Sequence, residues 1–473
     1  MLRTWLVFPK QRLVEMRTRE DSPPVGAVSR GGYCGPMRWV VVGAGSGGCV
    51  AARRLVDAGH DVTVVEAGPA LPPGRVPAAI DGPDSFAALN TSGRSFPNLM
   101  ATRTSRGVKR TYFRGRGVGG SSAVNAMVAL RGDPALYRSW GWDDCEEAAQ
   151  RVLVPSEVPQ RSELGLIDTA LLASDPGATV APLTRAGGFR VTSAQAYCWP
   201  VNDRIDWLTD EVVDRVVLDQ SGAAQGVVTA SGKHIMSDAV VLAAGAIHTP
   251  AILLRSGVTH PAVGAGLVDH PAAGFLLQLN VPSTSAPGAE RGLVTASMID
   301  RDPIQLLAIN HLGGQAPANL AMLLVANMRP VGCGGTVRLQ SDDPNTHPEV
   351  DFNLLDDSED LLTLRNGVIA ALDVLRRTSF TSIIDTVFID DVGTTVDALD
   401  SPEAIDSWLL RHGADYVHAS GSTGGALDDS GQVVGNEGVY VCDASAFPSI
   451  PNVNTHMPTM MLAERLTSRW IGM

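Results

Sequence analysis

The segment MRWVVVGAGSGGCVAARRLVDAGHDVTVVEAG, residues 37–68, constrains the fold more tightly than any other stretch of the chain. Trp39 to Val42 is a short apolar run suited to a buried parallel strand. Gly43, Gly45 and Gly48, with Ser46 between them, form G-x-G-x-x-G and open a helical pattern carrying Val50, Leu55 and Val56. A second apolar run, Val62 to Val65, ends in Glu66. Each part has a physical task. Gly43 permits a tight turn, Gly45 lets the backbone approach a pyrophosphate, and Gly48 lets the helix lie close to the strand. The free N–H groups and positive dipole end of the helix favour phosphate. An acid about 20 residues on, here Glu66, can accept hydrogen bonds from a ribose. The segment predicts a βαβ dinucleotide-binding unit. An acid rather than an arginine at that point disfavours a 2′-phosphate, while FAD and NAD both stay open on this motif.

Composition sets outer bounds. A chain of 473 residues has room for two or three domains. With 44% hydrophobic and 18% charged residues it can bury a large core. No apolar run reaches the roughly 18 residues that span a bilayer, so membrane contact is expected to be peripheral at most. A net charge of -13 argues against a nucleic-acid surface. The cysteines at 34, 49, 145, 198, 333 and 442 contain no CxxC pair. They are too sparse for a disulfide scaffold or a zinc site, so no metal is expected and a reducing, cytoplasmic location is. Residues 1–36 lack a helical period and a secretory cleavage site. They read as a loose extension, with Met37 as an alternative start.

A second glycine loop follows in RGRGVGGSSAVNAM, residues 114–127. Gly119 and Gly120 permit close backbone approach, Ser121 and Ser122 can hydrogen-bond phosphate or ring edges, and Asn125 follows within a turn. Downstream come GAIHTPAILLRSGV at 245–258, VGAGLVDHP at 263–271, and CDASAFPSIPNVNTHMPTMMLAERL at 442–466. Together these segments resemble the glucose–methanol–choline (GMC) family of flavin oxidoreductases, over the span from about Arg38 to the C-terminus. The 115–132 stretch is similar to that family's first signature, G-R-x-V-G-G-S-S-x-V-N, and 245–257 to its second, G-A-x-x-T-P-x-I-L-x-x-S-G.

The resemblance implies an α/β fold: a doubly wound FAD-binding domain interleaved with an antiparallel-sheet α+β substrate domain. FAD-binding parts are expected at 37–135, 195–272 and 410–473, a compact cap at 136–194, and the substrate domain at 273–409. It places Val212, within 206–218, where relatives run a strand beside the adenine. It places Asp443 and Ala444 at the ribityl and pyrophosphate. Residues 238–247 read as a buried strand with a small-residue end. Residues 335–357 read as two short strands around an Asp-Asp-Pro-Asn turn. The short cap predicts an open site that admits a bulky alcohol or a protein electron acceptor.

The implied reaction is hydride transfer from an alcohol carbon to flavin N5. A neutral imidazole is suited to take the hydroxyl proton. Similarity to the family's catalytic motifs assigns that role to His418 in DYVHASGSTGG, with Ala419 where relatives carry proline. Its partner is Asn454 in NVNTHMPTMM. Relatives usually have asparagine at 456, and a register slip of two would make His456 the second catalytic group instead. His270, before Pro271, reads as a structural turn cap. Val124 stands where some relatives carry a flavin-linking histidine, so the FAD is expected to be non-covalent.

The chain's short length and its VNAMVALRGDPALYRSWGW run look most like the mycofactocin-associated subgroup. That implies reduced mycofactocin, a peptide-derived redox carrier, as substrate and a respiratory electron acceptor. The alternatives are a choline-type or other small-alcohol dehydrogenase or oxidase, and a flavin-binding module with a vestigial site.

Overall fold

The computed structural model describes residues 35–283, 296–313 and 316–472. The chain divides into two units, Met1–Gly35 and Pro36–Met473. The expected N-terminal extension lies outside the described residues, apart from Gly35 and Pro36.

The first glycine segment folds as its periodicity predicts, into β1 (Arg38–Val42), α1 (Ser46–Asp57) and β2 (Asp61–Glu66). Distant segments complete the sheet: β3 (Ile205–Thr209), β4 (Ala239–Leu242), which leads into α2 (Gly245–Arg255), and β5 (Val439–Val441). The strand order is β5-β4-β1-β2-β3, and every pairing is parallel. Val40, Val41, Val240, Val241 and Leu242 are buried, as continuous apolar runs in a sheet covered on both faces must be. The C-terminal helix α3 (His456–Trp470) packs against α1. It is buried along most of its length, so its apolar residues form a wide face rather than a narrow stripe.

A second sheet is antiparallel and six-stranded. Its order is Ile384–Phe388, Ala272–Leu279, Leu320–Asn327, Ile304–Ile309, Ser297–Arg301 and Ala178–Val180. Side chains alternate across it. Leu306 and Val325, paired in register, join the core that contains Leu364 and Val368 of the helix Ser358–Leu375. Their neighbours Leu307 and Leu324, also paired, point the other way and line a large cavity.

Two segments add detail to the expected layout. Residues 206–218 contribute to two strands, Ile205–Thr209 and Val213–Leu218, separated where Asp210 turns the chain at φ 57. The N–H groups of Asp210 and Glu211 hold that turn on Gly68 O and Glu66 O at 2.9 and 3.0 Å. Residues 136–194 pack on the surroundings of both sheets. Helix Cys145–Arg151 packs on α3, while Ala178–Val180 is an edge strand of the antiparallel sheet. Residues 335–357 do form the expected pair, Gly335–Arg338 and Glu349–Asp351, joined antiparallel.

Candidate active site

The cavity has a volume of about 920 Å³ and lies at the carboxyl ends of the parallel strands, where ligands of open α/β sheets bind. Gly43, Gly45, Ser46, Glu66, Gly120, Ser121, Asn125, Val212, His418, Asp443, Ala444, Asn454 and His456 all line it. Gly48 and Gly119 stand behind this lining and hold it in shape. Gly48 sits behind it, where a Cβ would come within 1.9 Å of Gly43 O. Gly119 donates its N–H to Ala44 O at 2.8 Å and so ties the second glycine loop to the first.

The first loop turns at Gly43, φ 96, where a Cβ would lie 2.5 Å from Ala243 O. Helix α1 then begins with no side-chain cap and no acid in its first turn. Its N–H groups and dipole are left to an anion in the cavity. Gly120, φ 51, presses the second loop onto the first: a Cβ there would sit 2.6 Å from Gly45 Cα. Glu66 clamps the two loops together. Its carboxylate accepts N–H bonds from Ala44 at 2.8 Å, and from Gly68 and Gly117 at 2.9 Å each. It is therefore a loop organiser as well as a candidate ribose acceptor. Asp443 is similarly engaged, accepting from Gly245 N, Thr249 Oγ1 and Ser445 N, and it fixes the start of α2.

Asn125 rests on Arg190, a residue the sequence did not single out. The Arg190 guanidinium donates to Asn125 Oδ1 at 2.8 Å, to Asn125 O at 2.7 Å and to Ile80 O at 2.9 Å. Burial pushes it down to about 10. The charge of Asp84 opposes that shift without reversing it. Arg190 thus places a buried positive charge beneath the second loop.

The catalytic candidates fall into two groups. His418 and Asn454 come together, with Asn454 Nδ2 3.4 Å from His418 Nε2 and Asn454 Oδ1 buried without a protein partner. His456 lies elsewhere, its Nδ1 2.8 Å from Ser46 Oγ at the start of α1. Of the two alternatives, the residue that meets His418 is Asn454. Burial drives His418 well below its ordinary value of 6.5, and His270 and Arg114 push it the same way. Burial lowers His456 to about 4.

His270 is also a correction. It does not simply cap a turn; its Nδ1 lies 2.9 Å from His418 Nδ1. Its neighbour Asp269 is fully buried and holds the whole loop. Asp269 accepts from the main-chain N–H groups of His270, Tyr416 and His418 and from the Tyr112 hydroxyl, all at 2.7–3.1 Å. Between them Val417 adopts φ 61, a strained conformation for a β-branched residue. Asp269, His270 and His418 bring ligand-type atoms close together. These atoms are already spent on hydrogen bonds, so the cluster reads as a scaffold for His418.

A full-length dinucleotide fits this arrangement. Uncapped helix N–H groups face a phosphate position, two backbones approach within contact, and the buried polar atoms Asn454 Oδ1 and His456 Nε2 lack protein partners. Residues 37–156 and 176–272 match the amino-terminal part of the GMC oxidoreductases, and residues 333–463 match the carboxy-terminal part.

The chain belongs to the GMC oxidoreductase family.

Among curated relatives, 5-(hydroxymethyl)furfural oxidase of Methylovorus sp. (strain MP688) is 27% identical, over 90% of this chain and 97% of that one. The oxygen-dependent choline dehydrogenase of Paraburkholderia xenovorans (strain LB400) is also 27% identical, over 92% and 94%. Among solved structures, pyridoxine 4-oxidase from Mesorbium loti superposes with a TM-score of 0.80 at 20% identity, over 92% of this chain and 99% of that one. As a GMC oxidoreductase the protein is an FAD-dependent enzyme acting on alcohol CH–OH donors. No described helix is long and apolar enough to cross a membrane.

Proposed function

We propose that this GMC oxidoreductase oxidises an alcohol with His418 as base and Asn454 as its partner, and that the alcohol is reduced mycofactocin. The observation that carries the catalytic reading is the pairing of His418 Nε2 with the Asn454 amide in the wall of the cavity that also holds both glycine loops. A neutral His418 takes the hydroxyl proton at Nε2. Asn454 holds the same oxygen, so the C–H bond stays aligned while the proton leaves. Bound FAD supplies the two-electron acceptor, at flavin N5. The depressed basicity of His418 keeps it unprotonated at neutral pH and ready to accept.

The carrier assignment rests on the subgroup resemblance and on the shape of the site. Phe113 and Val417 line the cavity yet are 49% and 37% exposed, which gives it an apolar mouth. Phe86, Leu89, Leu307, Ile309, Leu312 and Leu324 add apolar wall. A bulky, partly apolar alcohol suits such a wall. A respiratory acceptor then reoxidises the flavin, in the cytoplasm or at the inner face of the membrane. The second reading is a small-alcohol enzyme, and here the wall favours uncharged alcohols over choline. Four carboxylates line the cavity, and each already has partners: Glu66, Asp443, Asp415 with Arg103, and Glu211 with Ser231 and Thr229. None stands ready for a quaternary ammonium.

The test is an anaerobic absorbance titration of the holoenzyme with reduced mycofactocin, choline, and simple aliphatic and aromatic alcohols. Bleaching of the oxidised flavin by reduced mycofactocin alone supports the carrier role. Bleaching only by a simple alcohol removes that role and keeps the His418 mechanism.

A further inference from the structure

We infer that His270 is a positioning residue that fixes the tautomer of His418, leaving the Nε2 lone pair of His418 aimed at the substrate. The inference rests on the catalytic reading above and goes beyond it, by naming what decides which nitrogen of the base is bare.

The argument starts at a carbonyl. His270 Nε2 lies 2.9 Å from Pro451 O, an atom that can only accept. His270 Nε2 therefore carries a proton. The ring is fully buried, and the nearby Asp269 carboxylate is taken up by main-chain N–H groups and the Tyr112 hydroxyl rather than by the ring, so the ring is neutral and its Nδ1 carries a lone pair. That Nδ1 is 2.9 Å from His418 Nδ1. One of the two must donate, His270 cannot, and so His418 Nδ1 bears the proton. A neutral His418 is then bare at Nε2, the atom that Asn454 Nδ2 approaches as a donor. The chain of polarity runs one way, from His418 Nδ1–H to His270 Nδ1 and from His270 Nε2–H to Pro451 O.

The rest of the site holds this chain in place. One carboxylate, Asp269, accepts the main-chain N–H groups of both histidines, at 2.7 and 2.8 Å, so the two backbones share an anchor. The imidazole planes stand at 88°, which points the His418 Nδ1–H at the edge of His270. Tyr416 packs edge-on against His418 at 4.8 Å between centroids and closes a further side.

The identity of the partner has a chemical consequence. When His418 takes the alcohol proton it becomes an imidazolium whose Nδ1–H meets a neutral ring. The charged groups around it are the Arg114 guanidinium, the Asp269 carboxylate acting through main-chain N–H groups, and Asp415 paired with Arg103. The imidazolium gains no direct ion pair, so it is a strong acid and returns its proton readily. The proton also has no onward path through His270, because Pro451 O cannot take it. His270 orients and does not relay.

Nitrogen NMR of the FAD holoenzyme carrying isotopically labelled histidine tests this without any substrate. The His418 signals are assigned by their loss in His418→Asn. The expected result is a protonated Nδ1 and a bare Nε2 on His418, with the reverse on His270. A His418 protonated at Nε2 in the neutral enzyme overturns the inference, whatever alcohol the enzyme uses. Kinetics add a second arm. His270→Leu, which removes the acceptor, should slow anaerobic flavin reduction by at least about tenfold with little change in KM, because a base in the wrong tautomer loses general-base catalysis. His270→Asn keeps an oxygen acceptor at the Nδ1 position and should recover most of that rate. A His270→Leu enzyme with wild-type rate and wild-type His418 tautomer also overturns it. Should that variant not fold, the wild-type spectrum decides alone.

Discussion

Ser46 and His456 stand 410 residues apart in the chain, and their side chains meet at 2.8 Å, Oγ to Nδ1. Ser46 opens α1 and His456 opens α3, so the contact joins the N-termini of two packed helices at one wall of the cavity. The other ring nitrogen of His456 is buried without a protein partner. Two positive dipole ends make this wall the part of the cavity best suited to an anionic stretch of the cofactor, and the second His456 ring nitrogen adds a hydrogen-bonding group to it.

His456 is accordingly expected to act on cofactor affinity more than on turnover. His456→Leu should weaken FAD binding to the apoprotein by about tenfold, the scale of one lost buried hydrogen bond. Once flavin is saturating, the rate of its reduction by substrate should stay within a few-fold of wild type. Flavin fluorescence quenching gives the first quantity and anaerobic stopped-flow the second. A collapse of the reduction rate with flavin fully bound would return His456 to the role of base.

His418 makes the opposite prediction. His418→Asn should retain flavin but lower the reduction rate by roughly a hundredfold or more, the usual contribution of a positioned base. The wild-type pH profile carries a sign. Burial, His270 and Arg114 all favour the neutral ring and hold His418 below 6.5. The active, unprotonated form therefore persists across neutral pH, and kcat/KM falls only as pH drops through that depressed value. An acid limb centred above 6.5 would contradict this assignment.

The parts of this design that are local in sequence were legible there. The run from Trp39 to Glu66 encodes strand, turn, helix and strand in consecutive residues, and each signal is a periodicity or a glycine. The antiparallel pair at 335–351 was legible for the same reason. What escaped depends on partners far along the chain. Gly47 was passed over, yet a Cβ there would lie 1.8 Å from Cys442 O, beyond the end of β5. Arg190 carries no local signal, and only folding buries it under Asn125. His270 read as a turn residue because it precedes proline, and its ring partner His418 lies 148 residues on. The break between the two strands at 206–218 is set by Asp210, an aspartate that enters the left-handed region at φ 57.

The contact between the two glycine loops gives a stability prediction. Gly120→Ala must adopt φ 51 with its Cβ 2.6 Å from Gly45 Cα, a backbone atom that cannot swing aside. The loops would separate. The expected cost is about 2 kcal/mol or more from the backbone strain and the clash together. Thermal unfolding of the apoprotein should show a lower Tm, and the holoprotein should lose more, because the same approach shapes the cofactor bed. An unchanged Tm in both forms would mean that the loops are not pressed together in solution.

Val124 closes the account of how the flavin is held. It is buried, lines the cavity beside Asn125, and offers only methyl groups. A carbon–nitrogen bond to the flavin at this position needs an imidazole, and valine has no nucleophile to supply one. Retention therefore rests on the non-covalent contacts described above: helix N–H groups, the Glu66-clamped loops and the Ser46–His456 wall. Precipitating the holoenzyme with acid should leave all of the yellow colour in the supernatant, with the spectrum of free FAD. Colour that stays with the pellet, and a flavin mass added to a peptide on digestion, would require a covalent link from some other residue. The non-covalent reading would then be withdrawn.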